Sequence, residues 1–128
     1  MKKKYVLLGV TGPNEYENNV NNNFYTNYIA QWCINYTVEN IRKIESEYPS
    51  DYTRILNKVK LSNSEIGKWK EVANNMYFPY SEEHHVYLQQ DGFLDKELIT
   101  VSDLPKSQRP INQKWSWDRI LRSPYIKQ

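Results

Sequence analysis

Glu15 is the residue whose setting could do chemistry. It follows Gly12-Pro13-Asn14 directly, after the apolar segment Tyr5 to Val10. Proline presets its own φ and glycine admits backbone shapes that other residues avoid, so the pair predicts a turn. A turn placed after an extended segment can hold the next side chain at an open edge. Tyr16, Phe24 and Tyr25 lie close in sequence, and partial burial beside aromatic rings would keep a carboxyl group protonated. A protonated carboxyl at an edge is what general acid catalysis requires. The same residue also reads as a first-turn acid that complements a helix dipole. Glu17, two positions on, is a second carboxylate whose charge could help hold the Glu15 proton. The asparagines 18, 19 and 21 are able to orient an acid, and equally able to cap a helix.

Other reactive side chains offer less. His84 and His85 are adjacent, so their rings point in different directions, and no cysteine or further histidine accompanies them. A metal site is therefore not expected. Cys33 falls within a helical apolar pattern, which predicts inert core packing rather than a reactive thiol.

The elements that must position Glu15 are helical. Asn21, Asn22 and Asn23 supply N-cap chemistry, because a short carboxamide accepts bonds from unpaired helix N–H groups. A long helix is predicted from about 23 to 46. Its apolar members include Phe24, Tyr28, Ile29, Trp32, Cys33, Ile34, Tyr36, Val38, Ile41 and Ile44, and the first half is apolar on more than one side. Such a helix is normally buried between neighbours, and an orphaned copy would leave the Trp32 and Tyr36 surface uncovered. Tyr48-Pro49-Ser50-Asp51 breaks it, and a weaker helix is predicted over 52–58. Ser62 and Glu65 stand at capping-box spacing. They open a helix over about 64–76 with a stripe of Ile66, Trp69, Val72, Ala73 and Met76. A buried helix followed by an amphipathic one reads as an αα-hairpin. Lys4 to Val10 reads as a short N-terminal strand or extended segment. From Tyr77 to Arg109 the chain is loop-rich, with an extended piece over 86–89 and a turn at Asp91-Gly92. Trp115 to Leu121 reads as a short helical or irregular piece.

The wording of the stretch adds a further signal. Val10-Thr11-Gly12-Pro13-Asn14-Glu15-Tyr16-Glu17-Asn18-Asn19-Val20-Asn21-Asn22-Asn23, with Tyr25-Thr26-Asn27 after it, resembles the catalytic-acid segment of the family 65 glycoside phosphorylases. GPNEYEN is similar to the maltose-type version, whereas relatives acting on trehalose or kojibiose tend to read GPDEYHE or GPDEFHE. Gln89-Gln90-Asp91-Gly92-Phe93 resembles a second family string and is read as scaffold. The resemblance is long and unusual in composition, which makes it more specific than a lone short motif.

The resemblance implies a fold, a reaction and a site. The fold is a mainly all-α (α/α)6 barrel, of which residues 1–128 would be one part: a helical hairpin, a short N-terminal strand and a loop-rich C-terminal portion. Spacing alone supports the hairpin and not the barrel. Glu15 takes the position of the general acid. Lys127 and Gln128, at a second family motif, would bind the glucosyl unit; by local chemistry alone a terminal Lys-Gln is a solvated end. The reaction implied is inverting phosphorolysis of maltose, or another α-linked glucose disaccharide, to β-glucose 1-phosphate and glucose. Inorganic phosphate is the co-substrate, and no metal or organic cofactor is expected. A homodimer is implied for the parent enzyme. The family's phosphate-binding residues have no counterpart here, so the chain alone is expected to be an inactive piece. A kojibiose- or trehalose-type phosphorylase, a glycosidase, or a non-catalytic fragment remain as alternatives.

Composition narrows the partners. The net charge is +2, too small to argue for nucleic acid or an anionic membrane. No apolar run approaches a membrane span. Met1-Lys2-Lys3-Lys4 precedes an apolar segment too short for a secretory leader, and the motif starts inside it. One cysteine cannot form an internal disulfide, which suits a reducing cytoplasm. There are 11 tyrosines and 4 tryptophans; aromatic faces serve sugars, but most of these are expected in the core.

Overall fold

The computed structural model describes residues 4–14, 17–96, 100–121 and 123. It divides into two units, residues 1–6 with 27–78 and residues 7–26 with 79–128.

The first unit is built from helices α1 (Phe24–Glu47, its first three residues belonging to the second unit), α2 (Pro49–Val59) and α3 (Asn63–Asn74). Each boundary has a local cause. Pro49 has no N–H to continue α1 and takes the first position of α2, where that loss is harmless. Lys60 ends α2 in the left-handed conformation, φ +56°, with its N–H donating to Leu56 O. That cap normally recruits glycine, and a lysine there costs about 1–2 kcal/mol. Ser62 opens α3 by accepting from the Glu65 N–H at 3.3 Å.

Polar groups join α1 to the end of α3. Asn27 Nδ2 donates to Tyr77 O at 2.8 Å, and Gln31 Nε2 donates to Ala73 O at 2.7 Å. Asn27 and Gln31 are one helical turn apart and so share a face. Val38, Ala73 and Met76 are buried there, and Ile66, Trp69 and Val72 are half-buried, as the amphipathic stripe requires. Tyr5 lies in a parallel bridge with Met76, formed by Tyr5 N–H to Asn75 O and Tyr77 N–H to Tyr5 O.

The Trp32 and Tyr36 surface is uncovered, as expected of such a helix without its neighbours: the two rings stack with centroids 5.1 Å apart and are 52% and 55% exposed. The face with buried partners carries Asn27, Gln31 and Val38 instead. Cys33 is exposed rather than packed in a core, since it lies off that face. It borders a shallow surface depression with Ile34, Thr37 and Trp69.

The second unit is mostly loop. Its sheet has two strands, β1 (Tyr80–Ser81) and β2 (Val86–Tyr87), antiparallel with Tyr80 opposite Tyr87. Those two rings meet edge to face at 5.2 Å, and Phe24 reaches Tyr87 at 5.0 Å. Beyond it come two short 3-10 turns (Val101–Asp103, Lys106–Gln108) and the helices α4 (Ile111–Lys114) and α5 (Trp117–Leu121). Leu104 and Ile120 are buried, and the Arg119 guanidinium lies 3.9 Å above the Trp115 ring.

Of the strand or extended segment expected over residues 4–10, no continuous strand forms. Isolated bridges occur at Tyr5 and Val10, and the residues between find side-chain partners. Leu7 N–H donates to Asn22 Oδ1 at 3.1 Å and Gly9 N–H to Asn21 Oδ1 at 3.0 Å. Carboxamides have replaced a ladder, and Gly9 at φ +63° bends the segment out of strand geometry.

Candidate active-site loop

The loop around Glu15 begins at a neck. Val10 and Val20 exchange both backbone hydrogen bonds, at 2.8 and 2.9 Å, in an antiparallel bridge. Beyond the neck Glu17 N–H donates to Asn14 O at 3.0 Å, linking the residues that flank Glu15-Tyr16 in the sequence. Glu15 and Tyr16 themselves lie outside the described residues, as do Lys127 and Gln128.

What the structure does describe is the frame. Asn23 N-caps α1: its Oδ1 accepts from Thr26 N–H at 3.1 Å and from Thr26 Oγ1 at 3.2 Å. Thr26 Oγ1 is also 3.4 Å from Thr11 O, which ties the first turn of α1 to the loop. Gly12 lies against the Asn23 carboxamide, where an added Cβ would come within 2.2 Å of Nδ2. Glycine is needed at that position for close approach.

The asparagines whose contacts are described have structural partners or conformations. Asn19 and Asn22 hold left-handed conformations, φ +53° and +52°, which asparagine tolerates better than most residues. Asn22 Nδ2 donates to Asp91 Oδ2 at 2.6 Å, and its backbone N–H to Leu7 O at 2.7 Å. Asp91 N–H returns a bond to Asn21 O, and Phe24 N–H donates to Gln89 O. The Gln89–Phe93 string thus stitches the loop from the other side, with Gly92 at φ +68° making its turn. The scaffold reading of that string holds.

Glu17 has the least predictable surroundings. Its carboxylate is buried, accepting from Gln90 Nε2 at 2.7 Å and from Lys96 Nζ at 2.5 Å. Gln90 is 2% exposed. The Lys96 ammonium offsets the Glu17 charge, so Glu17 is not a free negative neighbour. Lys96 and Gln90 stand 79 and 73 residues away in sequence, and no local pattern announces either partnership. His84 and His85 occupy the exposed β1–β2 turn, and among the described residues no group of three or more His, Cys, Asp or Glu could hold a metal ion.

The profile of the glycosyl hydrolase family 65 central catalytic domain matches residues 1–128. The chain belongs to this family. It is similar to a maltose phosphorylase of Bacillus subtilis (strain 168), 48% identical over 99% of this chain. An alpha,alpha-trehalose phosphorylase of Thermoanaerobacter brockii is 41% identical over 98% of it. Each match covers 16% of the relative, so the chain spans about a sixth of the length of these proteins. A solved structure titled "Putative kojibiose phosphorylase from human microbiome" matches 98% of this chain and 17% of its own, with a TM-score of 0.72 at 33% identity. The mainly helical fold with its short sheet is therefore a slice of the family 65 catalytic domain. Among the described residues no helix is long and apolar enough to cross a membrane.

Proposed function

We propose that this segment supplies the general acid of an inverting glycoside phosphorylase, with Glu15 as proton donor and maltose as the disaccharide. One observation supports it above the others: the loop that includes position 15 is closed at Val10–Val20 and anchored inside at Glu17. A general acid must be held within hydrogen-bond reach of the departing oxygen, and a loop tied at neck and interior limits the motion that would lose that reach.

The chemistry needs one carboxyl group. A phosphate oxygen attacks the anomeric carbon from the face opposite the leaving sugar, and the carbon–oxygen bond to that sugar breaks. Glu15 gives its proton to the departing oxygen, which leaves as a glucose hydroxyl. The hydrogen phosphate dianion arrives with one proton, and its release from the new β-glucose 1-phosphate restores the acid. Hydrolysis with inversion would require a second carboxylate to activate water; phosphate is already an anion. Lys127 would donate to hydroxyls of the bound glucosyl unit, and Gln128 would donate and accept. The 48% identity to a maltose phosphorylase favours maltose over the trehalose of the 41% relative.

The test uses the full-length enzyme with maltose, trehalose and kojibiose, each with phosphate. Maltose is expected to react fastest, and Glu15→Gln should lower its phosphorolysis at least ~100-fold. A loss of only a few-fold overturns the assignment of the acid.

A further inference from the structure

Glu17 is a buried carboxylate that the proposed reaction does not use. It lies two residues beyond Glu15. Its backbone N–H is bonded to Asn14, and its side chain reaches Gln90 and Lys96. We propose that Glu17 is a positioning residue. By holding Lys96 and Gln90 it fixes the chain at position 17, whose N–H is bonded to Asn14 O, and so steadies the stretch that carries the proposed acid. This rests on the reading of Glu15 as the acid.

The geometry favours position over field. A carboxylate acting through its charge would be left unpaired near the acid. Here the charge is answered by Lys96 at one carboxylate oxygen, and the other oxygen accepts from Gln90. Both partners come from the segment after β2, so the contact ties the acid loop to a separate stretch of chain. A pair of this kind, 4% and 19% exposed on its two side chains, gives little net stability against apolar substitutes, but it selects one geometry. Reaction geometry is steeply sensitive: a displacement of about 1 Å can cost about 100-fold.

The experiment compares two substrates in the full-length enzyme, each with inorganic phosphate. One is maltose, whose leaving sugar needs a proton. The other is α-glucosyl fluoride, whose leaving fluoride needs little acid help. Glu17→Gln is expected to lower kcat on maltose at least ~10-fold, with KM within about two-fold and the fluoride rate within about three-fold. Glu17→Asp keeps the charge and shortens the reach by one methylene, and it should show the same selective loss. It also serves if Glu17→Gln fails to fold. Equal losses on both substrates, or unchanged kcat on maltose, overturn the proposal. So does a shift of the pH profile with an unchanged plateau, which would assign a charge effect. Glu15→Gln is run beside them. If it spares the fluoride and abolishes maltose turnover, the acid reading stands and the Glu17 variants judge positioning alone. If it leaves maltose turnover intact, the acid reading itself has failed.

Discussion

Gly12 and the Asn23 carboxamide are in contact at a distance that leaves no room for a methyl group, since a Cβ on Gly12 would meet Asn23 Nδ2, Cγ and Oδ1 at 2.2, 2.5 and 2.7 Å. One residue of the turn before Glu15 is therefore packed on the cap of α1.

Gly12→Ala should push Asn23 off its capping position. Loss of a cap costs about 1 kcal/mol, and the loop must shift as well. The expected outcome is a lowered urea midpoint with an unchanged slope, together with a fall in disaccharide phosphorolysis larger than the stability loss explains. Wild-type activity in this variant would show that the acid loop does not depend on the contact.

Asn27 is fully buried and donates to Tyr77 O. Asn27→Ala removes that donor from a part-buried carbonyl. A destabilisation of about 1–3 kcal/mol is expected, measured by denaturant unfolding. Asn27→Asp should be worse, because it replaces the donor with a buried charge. A neutral Asn27→Ala would mean that the bond contributes nothing net.

Tyr52 has its phenol pushed above the usual 10.0, first by partial desolvation and then by the nearby Glu45 carboxylate, while its hydroxyl donates to Asn63 Oδ1 at 3.0 Å. The folded state holds the proton more tightly than the unfolded chain. This stabilisation is complete below pH 10.0 and is lost as pH rises through the folded value. Glu45→Gln should bring the phenol back toward 10.0, as followed by the Tyr52 ring signals in an NMR titration. No movement on substitution would remove Glu45 as a cause.

The helices were legible in sequence because each boundary has a local chemical cause. The asparagine cap at Asn23 and Ser62 with Glu65 act within a few residues, so α1 and α3 begin close to where those signals place them; α2 instead begins at Pro49, inside the stretch 48–51 read as a break, because proline fits the first turn of a helix. The stripe from Ile66 to Met76 is equally local. The segment from Leu7 to Gly9 misleads because its composition suits a strand while its hydrogen-bond partners are side chains of Asn21 and Asn22. The exposure of Cys33 could not be read from periodicity, since an apolar pattern states which face seeks burial and not whether a partner is supplied. Glu15, Lys127 and Gln128 were legible only through the resemblance of their surrounding words. The Glu17–Lys96 pair was not legible at all, because a contact across 79 residues leaves no periodic trace.

The asparagines from 18 to 27 look interchangeable on the printed line, yet those whose contacts are described have separate duties. Asn19 turns a corner, Asn21 catches one amide, Asn22 both turns and clasps Asp91, Asn23 caps, and Asn27 braces Tyr77. Mutational drift here should accordingly be idiosyncratic: aspartate is admissible where only an acceptor or a left-handed backbone is wanted, and ruinous where an amide hydrogen must be given. A region that imitates low complexity is, in its tolerance of replacement, among the least forgiving of the chain.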